Sequence, residues 1–296
     1  MELILGHNQF IGVSHTSEDK SIELQKKFSD AENIYKVVET AADIGYRNMI
    51  IETHPKMLDF LNIYKKNQTF DMNFYLQVPN IQGYVSEMNE KGLSGLILEL
   101  VHRGGVKSLS SIALKNMLGI AKKDYTTLAK SALQLEVSPF LDVNIKALLL
   151  HNVSTDLLLS LRVPIAFSEY IEYVRDDLDL DHGFVTLNFS LFKTCFEEWG
   201  FGKSLVMTPL NVKGFDMNPS KDVVEKDVIS YKGNIIAMNV LGGGAFSVNE
   251  SYRYLMSLNK IKFCVVGASS REHLQELEEV FNRLCGSELA TKIVGR

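Results

Sequence analysis

Eight short apolar runs punctuate the sequence, and between most of them lie longer stretches with helical periodicity. The runs are LILGHNQ (3–9), NMIIETH (48–54), NFYLQVP (73–79), KALLLHN (146–152), VPIAFS (163–168), FVTLNFS (184–190), NIIAMNV (234–240) and KFCVVG (262–267). They are continuous rather than alternating, the pattern of strands buried on both faces of a parallel sheet. The intervening stretches carry helix signals. SDAENIYKVVETAADIG opens with Ser29 and Glu32 in capping-box spacing, repeats apolar residues at Ile34, Val37, Val38, Ala41 and Ala42, and stops at Gly45. LAKSALQLEV (128–137) and SREHLQELEEVFNRL (270–284) behave alike. Eight strands alternating with helices predict an α/β protein of the (β/α)8 TIM-barrel class, and no G-x-G-x-x-G follows the first strand to argue for a dinucleotide-binding open sheet.

The spacing is uneven in two places. Residues 80–145 predict a long helical insertion between strands 3 and 4, and residues 191–233, with Pro209, Gly214 and Pro219, predict an extended loop near the mouth. If SLVMTPL within that loop is itself a strand, the count shifts by one. The whole chain, 1–296, is expected to form a single barrel domain.

Charge narrows the range of partners. A net charge of −5 and a pI of about 5.8 provide no basic face for nucleic acid or an anionic membrane. No apolar run reaches the length of a membrane span, and the opening MELILGHNQF has an acid where a signal peptide carries basic residues. The three cysteines, Cys195, Cys264 and Cys285, are odd in number and form no C-x-x-C. A cytoplasmic protein acting on a small molecule is expected, with oligomeric state left open.

Barrels of this class place their chemistry at the C-terminal ends of the strands. Those ends hold His7 and Asn8, Glu52 and His54, Gln77, His151 and Asn152, Ser168 and Glu169, Asn188 and Ser190, Asn239 with LGGG (241–244), and GASS (267–270). A lone strand-end histidine such as His151 is commonly a structural hydrogen-bonder, but here it has titratable company. Glu52 and His54 share one face by period two, where a carboxylate can orient an imidazole. His7, Glu52, His54 and His151 together resemble a metal-ligating set in residue type, yet no ligand spacing supports a metal and none is assigned. The last strand breaks into GASSREHL. Ser269 and Glu272 form a capping box, while a helix start beside Arg271 is also an anion site; both readings stand.

Along nearly its whole length the chain resembles the aldo-keto reductase superfamily. ILGHNQFIGV is similar to that family's first strand and turn, AADIGYRNMIIET to the stretch into its second strand, and KALLLHN to the strand bearing its histidine. FVTLNFSLF, IIAMNVLGGGAF and VVGASSREHLQE resemble its sixth, seventh and eighth strand regions. The resemblance implies a (β/α)8 barrel that binds NADP(H) across its mouth and reduces carbonyls with an Asp/Tyr/Lys/His tetrad. It implies that Gly267, Ala268, Ser269, Ser270 and Arg271 hold the cofactor's adenosine phosphate, that Ser168 lies on the nicotinamide side, and that His151 polarises the carbonyl. Other positions depart from the family. Glu52 stands for the tetrad Asp, no tyrosine follows it in THPKML, FYLQVP has no lysine, and Thr186 replaces a glutamine of the sixth strand.

The expectation is therefore a divergent oxidoreductase using NADP(H) on a small carbonyl or hydroxyl compound, with His151, Glu52 and His54 as its catalytic residues. Two alternatives remain open. One is a non-redox isomerase, epimerase or lyase acting on a phosphorylated or nucleotide-bearing molecule through the same three residues. The other is a catalytically silent NADP(H)-binding or subunit protein.

Overall fold

A computed structural model of the chain describes residues 1–14, 17–80 and 125–294. Eight parallel strands close into a barrel in sequence order: β1 (Glu2–Leu5), β2 (Asn48–Glu52), β3 (Asn73–Val78), β4 (Ile145–Leu150), β5 (Asp181–Val185), β6 (Leu205–Pro209), β7 (Asn234–Met238) and β8 (Ile261–Val266). Closure is made by β8 pairing with β1, Glu2 opposite Phe263 through Leu5 opposite Val266. Around the barrel run α1 (Glu18–Lys27), α2 (Ala31–Ile44), α3 (Pro55–Asn67), α4 (Tyr125–Val137), α5 (Asn152–Ser160), α6 (Pro164–Glu172), α7 (Phe189–Glu198), α8 (Lys221–Ser230), α9 (Val248–Ser257) and α10 (Arg271–Val294).

Two adjacent corrections to the expected strands have one cause. VPIAFS is not a strand but the start of α6. Its proline takes the first helical position, where a missing N–H costs nothing, and its buried residues Phe167 and Tyr170 recur at helical spacing. SLVMTPL, expected within an extended loop over 191–233, supplies β6, with Val206 opposite Phe184 on one side and Ile235 on the other. That region is thus a helix, a strand, a short loop and another helix. A short apolar run does not by itself separate strand from buried helix, because both bury their side chains. The expected sixth strand, 184–190, becomes β5 and begins and ends earlier. Its final residues start α7, whose first turn is capped by Asn188 accepting from the Leu191 N–H. Of the expected helical insertion over 80–145, α4 and a short 3-10 turn (Ser138–Phe140) are seen, and residues 81–124 lie outside the described residues.

The hydrophobic interior has two parts. Ile4, Ile50, Tyr75, Leu149, Val185, Met207, Ile236 and Phe263 point inward and fill the barrel. The opposite faces of the strands meet the helices, where Phe167, Phe184, Phe192 and Phe196 pack edge-on and stacked. A polar ladder runs along the entry ends of β1 to β4. Asn48 donates to Glu2 (3.1 Å), Asn73 to Asn48 (3.0 Å) and Asn144 to Asn73 (2.8 Å). At the opposite rim, the C-terminal ends of the strands, inward side chains emerge beside loops.

Candidate active site

Period two carries the interior face of β2 from Ile50 to Glu52, and Glu52 lies in register with Gln77 on β3. On β4 the same face runs through Ala147 and Leu149 to His151, just past the strand. His151 and His54 are both helix N-caps. The Nδ1 of His151 accepts the N–H of Val153 (3.2 Å) at the start of α5, and that of His54 accepts the N–H of Lys56 (3.1 Å) at the start of α3. An Nδ1 that accepts cannot carry a proton, so in each neutral ring the proton sits on Nε2. Burial holds the His151 imidazole below its ordinary value, against the upward pull of Glu52 and together with the downward push of His7. His151 is thereby kept a neutral donor.

The nearest partner of Glu52 is His7, not the expected His54. His7 leaves the end of β1 and is buried, with its Nε2 3.3 Å from Glu52 Oε2. Among the described residues this Nε2 has no hydrogen-bond partner of good geometry, and it is sealed from solvent. Burial pushes the Glu52 carboxyl up. The contact and charge of His7, joined by the charges of His54 and His151, outweigh burial and hold it below the usual carboxylate range. His54, His151 and His7 are thus each within electrostatic reach of Glu52. Among the described residues no group of His, Cys, Asp or Glu is arranged to hold a metal ion.

Behind His54 a second carboxylate ties the rim together. Glu136, near the end of α4, is buried and accepts from the Thr53 hydroxyl and from the Asn80 N–H (2.8 Å). It lines a small hollow with Thr53, His54, Pro55, Leu58, Pro139 and Phe140.

Across the mouth lies the turn after β8. Gln9, buried in the turn after β1, donates to Gly6 O (2.8 Å) and Ala268 O (3.0 Å), stitching the two loops. Gly267 packs against it closely, since a Cβ there would meet Gln9 Oε1 at 3.2 Å. Lys27, at the end of α1, donates from Nζ to Ser269 O (2.7 Å). Helix α10 then begins at Arg271. The cap falls one residue later than the expected Ser269: Ser270 accepts the His273 N–H (3.3 Å), and Glu272 bonds its own N–H and Ser270. Lys27 and Arg271 both act by charge on Glu272 in the first turn of α10.

Ser168 does not join the mouth. It lies half-buried on α6, its hydroxyl bonded to Ile165 O (3.0 Å), because the run expected to be a strand is helical. The position after β5 belongs instead to Thr186, Leu187 and Asn188. Thr186 is buried and donates to Asp156 of α5 (2.5 Å), which also accepts from the Leu187 N–H (3.0 Å). Gly242, Gly243 and Gly244, all at positive φ, form a closed turn after β7 in which Gly244 donates to Leu241 O (2.9 Å). Gln9, Lys27 and Glu136 escaped the sequence reading. Each acts on a residue far along the chain, and no local pattern marks such a pairing.

No family model matches this sequence, and no curated protein is similar to it in sequence. Solved structures are similar to it in fold. A candidate aldo-keto reductase from Pseudomonas aeruginosa superposes with a TM-score of 0.57 at 13% identity, covering 95% of this chain and 89% of that one. The Bombyx mori aldo-keto reductase in complex with NADP gives 0.54 at 10% identity, over 95% and 83%. An aldo/keto reductase from Brucella melitensis gives 0.51 at 13%, over 95% and 88%. The sequences differ widely while the path of the chain agrees: this protein has the barrel fold of these aldo-keto reductase structures.

Proposed function

We propose that the protein is an oxidoreductase that uses NADP(H) on a small carbonyl or hydroxyl compound. The observation that carries this reading is one barrel mouth with a coupled imidazole–carboxylate set on one side and a phosphate-fitting turn on the other. The turn Gly267, Ala268, Ser269, Ser270 and Arg271, with Lys27 added, would hold the adenosine phosphate end of the cofactor. Bound NADPH supplies a hydride for a carbonyl carbon. His151, neutral and with its proton on Nε2, orients and polarises the carbonyl oxygen, as a helix-capping imidazole does when the helix start disfavours its cation. His54, once protonated on Nδ1 at the cost of its cap bond, gives its Nε2 proton to the oxygen as negative charge develops there and is left a neutral imidazole. General acid help of this kind contributes roughly 10²- to 10⁴-fold in rate. Glu52 stays ionised beside both rings and stabilises that His54 imidazolium, which forms again when the neutral ring takes a proton from solvent. The three free cysteines suit a reducing cytoplasm, and among the described residues no helix is long and apolar enough to cross a membrane.

Titration with NADPH, followed by cofactor fluorescence, tests the reading. Wild type should bind, Arg271→Ala and Lys27→Ala should each bind about 10-fold more weakly or worse, and His151→Ala should bind normally but lose reduction of small aldehydes. Absence of NADPH binding in the wild type removes the proposal. Binding of inorganic phosphate at the same turn without NADPH affinity would instead favour proton transfer on a phosphorylated substrate.

A further inference from the structure

We infer that His7 is the positioning partner of Glu52, fixing the carboxylate at the mouth and keeping it ionised and acceptor-only for the imidazoles that face it. The inference deepens the reading of this site but does not depend on the cofactor. Its first support is the way His7 is held. Strand β1 ends at Leu5 and the chain turns at once: the His7 carbonyl accepts from the Phe10 N–H (2.8 Å), and the Asn8 carbonyl from the Val13 N–H (2.8 Å). Phe10 anchors the turn in the core edge-on to Phe28, at 5.0 Å between centroids, and Gln9 bolts it to the β8 loop. A ring on so constrained a turn has little freedom to leave its place.

The second support is the state of the ring's Nε2. Among the described residues it is buried with no aligned hydrogen-bond partner, an arrangement that costs free energy unless the group serves a neighbour. That neighbour is the Glu52 carboxylate at 3.3 Å. The groups around Glu52 on other elements leave His7 as its closest counter-group. Gln77, its register partner on β3, is uncharged. His54 and His151 act on it electrostatically, each with Nδ1 committed to a helix cap. Glu136 engages Thr53, the next residue along. Because Nε2 of His7 is sealed from solvent, the ring acts through Glu52 rather than on substrate.

The test is a titration of the Glu52 carboxyl by carbon-13 NMR in the full-length protein without cofactor, so a failure of NADPH binding leaves it interpretable. In His7→Phe the Glu52 midpoint should rise by about one pH unit or more, since an opposite charge at this range moves a carboxyl by ~1–3 units. His7→Gln, which keeps a side-chain donor at similar size, should give a smaller rise, and it carries the test if the phenylalanine variant does not fold. The nitrogen-15 signals of His151 should report the altered Glu52 as a changed midpoint in the same variant. An unchanged Glu52 midpoint in a folded variant overturns the inference.

Discussion

At the scale of single residues, the site shows how capping and chemistry can share one side chain. His151 closes a strand and starts a helix, and the bond that caps α5 also decides which ring nitrogen holds the proton. This dual role has a measurable consequence in pH. The folded His151 titrates below the ordinary 6.5, so the unfolded chain binds more protons as pH drops past that value. Its contribution to stability is complete above the unfolded value and is lost as pH falls toward the folded one. Glu52, also depressed relative to 4.5, loses its contribution only at more acid pH, which keeps the two separable. His151→Asn retains a good N-cap and removes the titration. Urea unfolding compared at pH 7 and pH 5.5 should therefore show a smaller loss of stability for the variant than for the wild type.

At the scale of elements, the two ends of the barrel are built on opposite principles. The entry end is a chain of mutually satisfied amides anchored on Glu2; the exit end carries imidazoles and carboxylates held apart by caps and turns. Asn48 is the buried link of that ladder, giving a bond to Glu2 and taking one from Asn73. Asn48→Leu removes the acceptor of the Asn73 amide and the donor to Glu2 and should cost about 1–3 kcal/mol in urea unfolding. Asn144→Leu, at the exposed end of the same ladder, should cost distinctly less. A ladder that was only decorative would give equal, small effects.

At the scale of the whole molecule, a closed ring makes every strand interior. Ile4 of β1 is fully buried among Ile50, Tyr75 and Phe263, so the first strand is as much core as any other. Ile4→Ala should cost about 2–5 kcal/mol, with an unchanged urea slope if the ring still unfolds as one unit. Closure also explains why residues from opposite ends of the chain share a site: the pairing of β1 with β8 brings Gln9 beside Ala268 and Lys27 within reach of Ser269. Loss of that closure would scatter the turn after β8 before it touched the β2–β4 side.

What the chain determined locally was its alternation of buried strands and capped helices, and hence the barrel; period two placed Glu52 and His54 on one face, and the apolar run before His151 marked that residue as a strand end. The ambiguous runs were settled only by neighbours. VPIAFS and SLVMTPL are both short and apolar, and the ring accepts the one whose backbone can pair with β5 and β7 while the other packs outside as a helix. Ser168 left the site for that reason. The pairing of His7 with Glu52, the clamp of Gln9 and the reach of Lys27 and Glu136 were likewise decided in three dimensions. Periodicity reports which face of an element is buried, whereas the identity of what it meets depends on how distant segments close around it.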